Sequence, residues 1–130
     1  MIAVDTNVIV RLLTGDDVNQ AKKARLLIEG NDVFIADTVL LEAEWVLRYA
    51  YGFSGSEINR ALTGLLGLPR IQLNHPRQVA SALKWHAQGM DFADALHLAV
   101  AHAQDAFYTF DKAFIKKADH LNLLPGVESP

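Results

Sequence analysis

The sequence contains no cysteine, only four prolines in 130 residues, and no excess of one charge large enough to govern its contacts. Without thiols there is no disulfide, no cysteine-ligated zinc and no thiol nucleophile, and the lack of cysteine does not by itself fix a compartment. Twelve Lys and Arg against fifteen Asp and Glu leave a formal net charge of −3. That balance excludes a protein that coats nucleic acid through bulk positive charge, but not an enzyme with a local basic patch. No apolar run approaches the roughly 20 residues of a membrane-spanning helix. The longest are broken by Asp37, Glu42 and Glu44 in one place and by Asp91 and Asp94 in another. The opening Met1-Ile2-Ala3-Val4-Asp5 has no basic segment and meets a carboxylate at once. Neither a secretory leader nor a membrane contact is expected, and the cytoplasm is the expected location.

What the sequence does have is an ordinary globular balance, 51% apolar and 21% charged. Its length suits one domain over residues 1–130, with no linker, repeat or low-complexity tract. Four short apolar runs read as strands: Met1–Val4, Val33–Ala36, Ile71–Leu73 and Ala106–Phe110. Helical spacing fills the gaps between them, so a β-α-β-α pattern and a parallel sheet between helical layers are expected. Asn19 is expected to cap a helix ending at Gly30, and Thr38 to start one that stops near Gly52. Ser54 and Glu57 form a capping-box signature. Pro76 suits a first helical turn with Gly89 as the stop, Asp91 caps a helix through Ala103, and Asp111 opens a last short helix. The tail from Gly126 to Pro130 is expected to be loose.

Open parallel sheets carry their functional groups beyond the carboxyl ends of the strands. Asp5 follows the first predicted strand and Asp111 the last, while Asp94 and Glu42 lie early in their helices. With short connections, these four carboxylates are expected at one edge. Like charges about 4 Å apart repel by about 4 kcal/mol at an effective dielectric of 20, so such a group calls for protonation or a hard divalent cation. An all-oxygen set suits Mg²⁺ or Mn²⁺. The chemistry that fits is metal-assisted hydrolysis of a phosphodiester. Each acid also has a plainer reading, since Asp5, Asp91 and Asp111 are ordinary helix caps and Asp94 suits the positive end of a helix dipole.

Four segments, Val4-Asp5-Thr6-Asn7-Val8, Leu41-Glu42-Ala43-Glu44-Trp45-Val46-Leu47, Asp91-Phe92-Ala93-Asp94-Ala95-Leu96 and Thr109-Phe110-Asp111-Lys112, together resemble the PIN-domain ribonucleases. They are most similar to the VapC-type toxins of VapBC toxin–antitoxin pairs. The resemblance spans essentially the whole chain. It implies a three-layer α/β/α domain around a parallel sheet of four or five short strands. It implies that Asp5, Glu42, Asp94 and Asp111 hold Mg²⁺ or Mn²⁺, and that the activity is endonucleolytic cleavage of RNA, whether tRNA, rRNA or mRNA. It also implies a VapB-like antitoxin and a homodimer.

Around that set, Asn7 and Thr109 are candidates to hydrogen-bond a carboxylate, an attacking water or a phosphate, with helix capping and strand propensity as their alternatives. Thr6 shares the first of these roles. Asp91 is read as a cap, with a place beside the metal as the alternative. His97, three residues after Asp94, is read as a packed histidine in preference to a ligand or base. Arg11, Lys112 and Lys116 are candidate phosphate contacts, and Lys22, Lys23 and Arg25 a solvated face. Trp45 and Trp85 are expected in the core or an interface in preference to acting as base-stacking platforms. The helix from Thr38 to Tyr51 and the one from Ser56 to Leu66 carry more apolar surface than one face requires, and a partner helix or second copy is expected there, a single core being the alternative. Other α/β enzymes fit less well. A haloacid-dehalogenase-type phosphatase needs an Asp where Asn7 stands, and a receiver domain needs a phosphorylated Asp that Ile71-Gln72-Leu73-Asn74 lacks. A non-catalytic binding module on the same fold has no use for four such acids.

Overall fold

The computed structural model describes residues 1–130. Contacts divide it into two compact units, Met1–Pro76 and Arg77–Pro130. In the first, β1 (Ile2–Ala3), α1 (Thr6–Thr14), α2 (Val18–Glu29), β2 (Val33–Ile35), α3 (Asp37–Tyr49), α4 (Gly55–Leu66) and β3 (Ile71–Leu73) follow in order. The strands form a parallel sheet, β1-β2-β3, with Ile2 opposite Val33 and Val33 opposite Ile71. Their carboxyl ends therefore lie along one edge, which leads into Val4-Asp5, Ala36-Asp37 and Asn74-His75.

Val33 and Ile35 are fully buried, as expected of a strand covered on both faces. Leu40, Ala43 and Leu47 repeat at helical spacing on α3, and Ile58, Leu62 and Leu65 on α4, and all six are buried. Each buried Leu or Ile contributes about 1.5–3 kcal/mol of transfer free energy. The capping box of Ser54 and Glu57 forms as its sequence predicts. Two other starts differ from expectation. Asp17, not Asn19, caps α2, its carboxylate accepting from the Gln20 amide at 3.0 Å. α3 begins at Asp37, one residue before Thr38, with no side-chain cap from Ala36. Its first amide, that of Asp37, donates to Asn74 Oδ1 at 3.3 Å, a partner that no local rule reveals.

The second unit holds α5 (Pro76–Ala87), whose first residue closes the first unit, α6 (Phe92–Val100), β4 (Phe107–Tyr108), α7 (Lys112–His120) and β5 (Val127–Glu128). β4 and β5 pair in parallel, Phe107 opposite Val127. The tail expected to be loose thus supplies a strand, and the five strands fall into ladders of three and two. α6 stops at Val100, short of the expected Ala103, where the Ala101 amide turns back to His97 and Leu98. Gly89, between α5 and α6, has φ +101, and a Cβ there would stand 3.0 Å from Lys117 Nζ. The positive φ requires glycine at that turn, whereas the Lys117 side chain could swing aside for a Cβ.

Candidate active site

In the first unit the site begins at the end of β1. Asp5 caps α1, its Oδ1 accepting from the amides of Asn7 at 3.1 Å and Val8 at 3.3 Å. One oxygen serves both bonds, so the cap does not occupy Oδ2. The next residue, Thr6, is buried, and its hydroxyl donates to Glu42 Oε1. This bond ties the start of α1 to the second turn of α3. Thr6, and not Asn7, holds the carboxylate. Asn7 is exposed, caps nothing, and lines an open groove of about 350 Å³ with Val8, Arg11, Gln20, Lys23, Ala24 and Leu27.

Arg11 is engaged inside this unit through Nε and one amino group. It pairs with Asp16 at 2.8 Å and donates to Gln20 Oε1 at 2.8 Å and to the Tyr51 hydroxyl at 2.8 Å. Its expected phosphate-binding role gives way to this network. The Tyr51 hydroxyl donates in turn to Asp16 Oδ2 at 2.6 Å, and this bond heads the causes that hold the Asp16 carboxyl below its ordinary value. Asp37 and His75 stand 2.6 Å apart, and Asp37 Oδ1 is buried with no hydrogen-bond partner. The position of Asp37 just after a strand was the only sequence signal for that pair.

In the second unit, Asp91 caps α6, its Oδ2 accepting from the Asp94 amide at 3.1 Å. Asp111 caps α7 through Oδ1, which takes the amides of Ala113 at 2.9 Å and Phe114 at 3.1 Å. As at Asp5, the cap leaves the second carboxylate oxygen unused. Thr109 does not reach a carboxylate; its hydroxyl accepts from the Asp111 amide at 3.0 Å and so fixes the backbone of the capping residue. Asp91, Asp94 and Asp111 line one open cleft of about 530 Å³ with Gly89, Met90, Ala113, Phe114 and Lys117. There Asp94 is pushed up to about 6, first by burial and then by the negative charges of Asp91 and Asp111, with His97 acting in the opposite sense.

Lys117 is the cation of this cleft, and Lys112 and Lys116 lie outside its lining. Ala113, Phe114 and Lys117 sit at helical spacing on α7, the signal that marks the cleft-facing side. His97 is exposed, in contrast to the packed residue expected. Trp45 is 55% exposed and thus no core residue, whereas Trp85 is half-buried.

The structure therefore joins Glu42 to the residue after Asp5 in one unit, and Asp94 to Asp91 and Asp111 in the other. No three acidic or histidine side chains are closed into a ready-made cage. The donor chemistry nonetheless suits a hard divalent cation. Every candidate ligand is a carboxylate, and the mutual repulsion around Asp94 is the kind that such a cation relieves. No helix is long and apolar enough to cross a membrane.

A family model described as PIN domain matches residues 2–120. Among solved structures, the sarcin–ricin-loop-cleaving toxin VapC20 of Mycobacterium tuberculosis is 22% identical, with 88% of this chain and 92% of that chain covered and a TM-score of 0.43. No curated protein matches in sequence.

Proposed function

The chain belongs to the PIN domain family, and on that premise we propose that it is a metal-dependent endoribonuclease of the VapC toxin type, acting as one domain. The observation that supports this most is the Asp91–Asp94–Asp111 group, where burial and like charge raise Asp94 to about 6. An acid so placed is unfavourable for folding alone and useful to a cation. In this reading Asp5, Glu42, Asp94 and Asp111 hold Mg²⁺ or Mn²⁺. When bound, the cation supplies a water of lowered pKa and offsets the charge of a phosphodiester under attack.

The remaining work belongs to the chain's own side chains. Thr6 anchors the Glu42 carboxylate by donating to Oε1. Asp5 and Asp111 are each oriented by two amides on a single oxygen, which leaves the other oxygen of each outside the cap, and both carboxylates would be available to hold the cation. Asp91 fixes the first turn of α6, and with it Asp94, while Thr109 does the same for Asp111. Lys117 meets the phosphate. The net reaction would be hydrolysis, in which the oxygen of water ends on phosphorus and its proton on the ribose oxygen that leaves, so that RNA would be cut internally. Such a substrate puts the reaction in the cytoplasm. A VapB-like antitoxin restrains the enzyme, and a second copy completes a homodimer.

Cleavage of a labelled RNA during a Mg²⁺ or Mn²⁺ titration tests the reading. Wild type is expected to cut only with the cation, and Asp5→Ala or Asp94→Ala to abolish cutting with an unchanged circular-dichroism spectrum. Cutting by Asp94→Ala at the wild-type rate would overturn the assignment. Light scattering tests the dimer, against which a mass near 14.3 kDa at micromolar concentration would count.

A further inference from the structure

Buried polar side chains are only two, Thr6 and Glu44. Thr6 serves Glu42, whereas Glu44 has no part in the chemistry above. A buried carboxylate is costly unless paired. Glu44 pairs with Arg48 one turn on, Nε to Oε2 at 2.9 Å and an amino group to Oε1 at 3.1 Å. So held, the Arg48 guanidinium lies 4.7 Å from the centroid of the Tyr49 ring. Tyr49 in turn stands 5.2 Å from the Trp45 ring, tilted by 46°. Both rings are largely in solvent, Trp45 at 55% and Tyr49 at 64%. Their order on α3 relates them to the candidate site. Glu42, Trp45 and Tyr49 fall at i, i+3 and i+7, one stripe about 10 Å long on the exposed side of the helix.

We propose that Trp45 and Tyr49 form a stacking subsite for unpaired RNA bases next to the bond that is cut, with Arg48 set against the outer ring by Glu44. The proposal rests on the ribonuclease reading for its choice of ligand. Exposed aromatic rings backed by a guanidinium suit the faces of nucleobases and take any base. A protein partner suits the patch less well. The exposed parts of two aromatic side chains offer about 250 Å², whereas a stable protein contact takes about 800 Å² from each side. The same stripe carries Glu42, which an apolar interface would have to bury.

The test uses the full chain carrying Trp85→Phe, which leaves Trp45 as the sole tryptophan. An octa-adenylate RNA is titrated in EDTA, where no cutting occurs, beside an abasic ribose-phosphate chain of the same length. The octa-adenylate is expected to quench Trp45 emission and the abasic chain to leave it unchanged. Tyr49→Ala is expected to weaken binding of the octa-adenylate about tenfold. Unchanged Trp45 emission, or equal quenching by the abasic chain, would overturn the subsite, and neither result depends on a variant of α3 folding. Conversion of a dimer to a monomer by Trp45→Ala, with RNA binding intact, would assign the face to a second copy and also overturn it. Cation-dependent cleavage with a silent Trp45 refutes the subsite alone. Quenching without any cleavage in Mn²⁺ refutes the nuclease reading alone.

Discussion

The Thr6 hydroxyl donates to the Glu42 carboxylate across 36 residues of sequence, from the first turn of α1 to α3. Thr6 is buried while Glu42 is exposed, so the bond is part-buried and anchors the Glu42 carboxylate from its inner side. Thr6→Val keeps the shape and removes the donor. RNA cleavage and Mn²⁺ affinity are expected to fall by about 10–100-fold, with Thr6→Ser restoring most of the loss. Kinetics of Thr6→Val matching wild type would show that Glu42 needs no such support.

Asp94 makes stability depend on pH in a defined sense. Its folded value of about 6 lies above the ordinary carboxylate range, so the folded chain binds that proton more tightly than the unfolded one. In EDTA, the contribution is complete below about pH 4 and is lost as pH rises to about 6. Allowing for the partial exposure of the group, the fall amounts to about 1 kcal/mol. Asp94→Asn is expected to remove it and to be the more stable protein at pH 7 without metal. Urea unfolding at pH 4, 5, 6 and 7 measures this, and parallel profiles for the two proteins would contradict it.

The Asp16 network offers a check on geometry away from the chemistry. The Tyr51 hydroxyl bond leads the causes that lower the Asp16 carboxyl, ahead of Thr14 and Arg11. In Tyr51→Phe the Asp16 titration is expected to move up toward the ordinary range, as read by carbon-detected NMR. No movement would mean that Arg11 and Thr14 suffice.

Much of this was legible in the sequence because it is local. Ser54 and Glu57 cap within one turn, Asp5, Asp91 and Asp111 head their helices, and Val33–Ile35 announces a strand covered on both faces. The acids themselves stand out for the same reason, being charges set against apolar runs. What escaped is contact across distance. Asn74 supplies the amide partner that α3 lacks, 37 residues away. Arg11 looks like a free cation until Asp16, Gln20 and Tyr51 close on it. The choice between Thr6 and Asn7 turns on which side chain α1 directs inward, and its start at Thr6 decides it. β5 is two residues long, too short for any periodic signal, and exists because β4 offers it a ladder.

In the function proposed above, Asp5, Glu42, Asp94 and Asp111 are the carboxylates that bind Mg²⁺ or Mn²⁺. An electron paramagnetic resonance titration with Mn²⁺ tests this claim without RNA, comparing wild type with Asp5→Asn, Glu42→Gln, Asp94→Asn and Asp111→Asn. The expected result is stoichiometric binding by wild type and an affinity lowered at least about tenfold in every variant. Equal Mn²⁺ binding by wild type, Asp5→Asn and Asp94→Asn, or no binding by any of them, would contradict the claim.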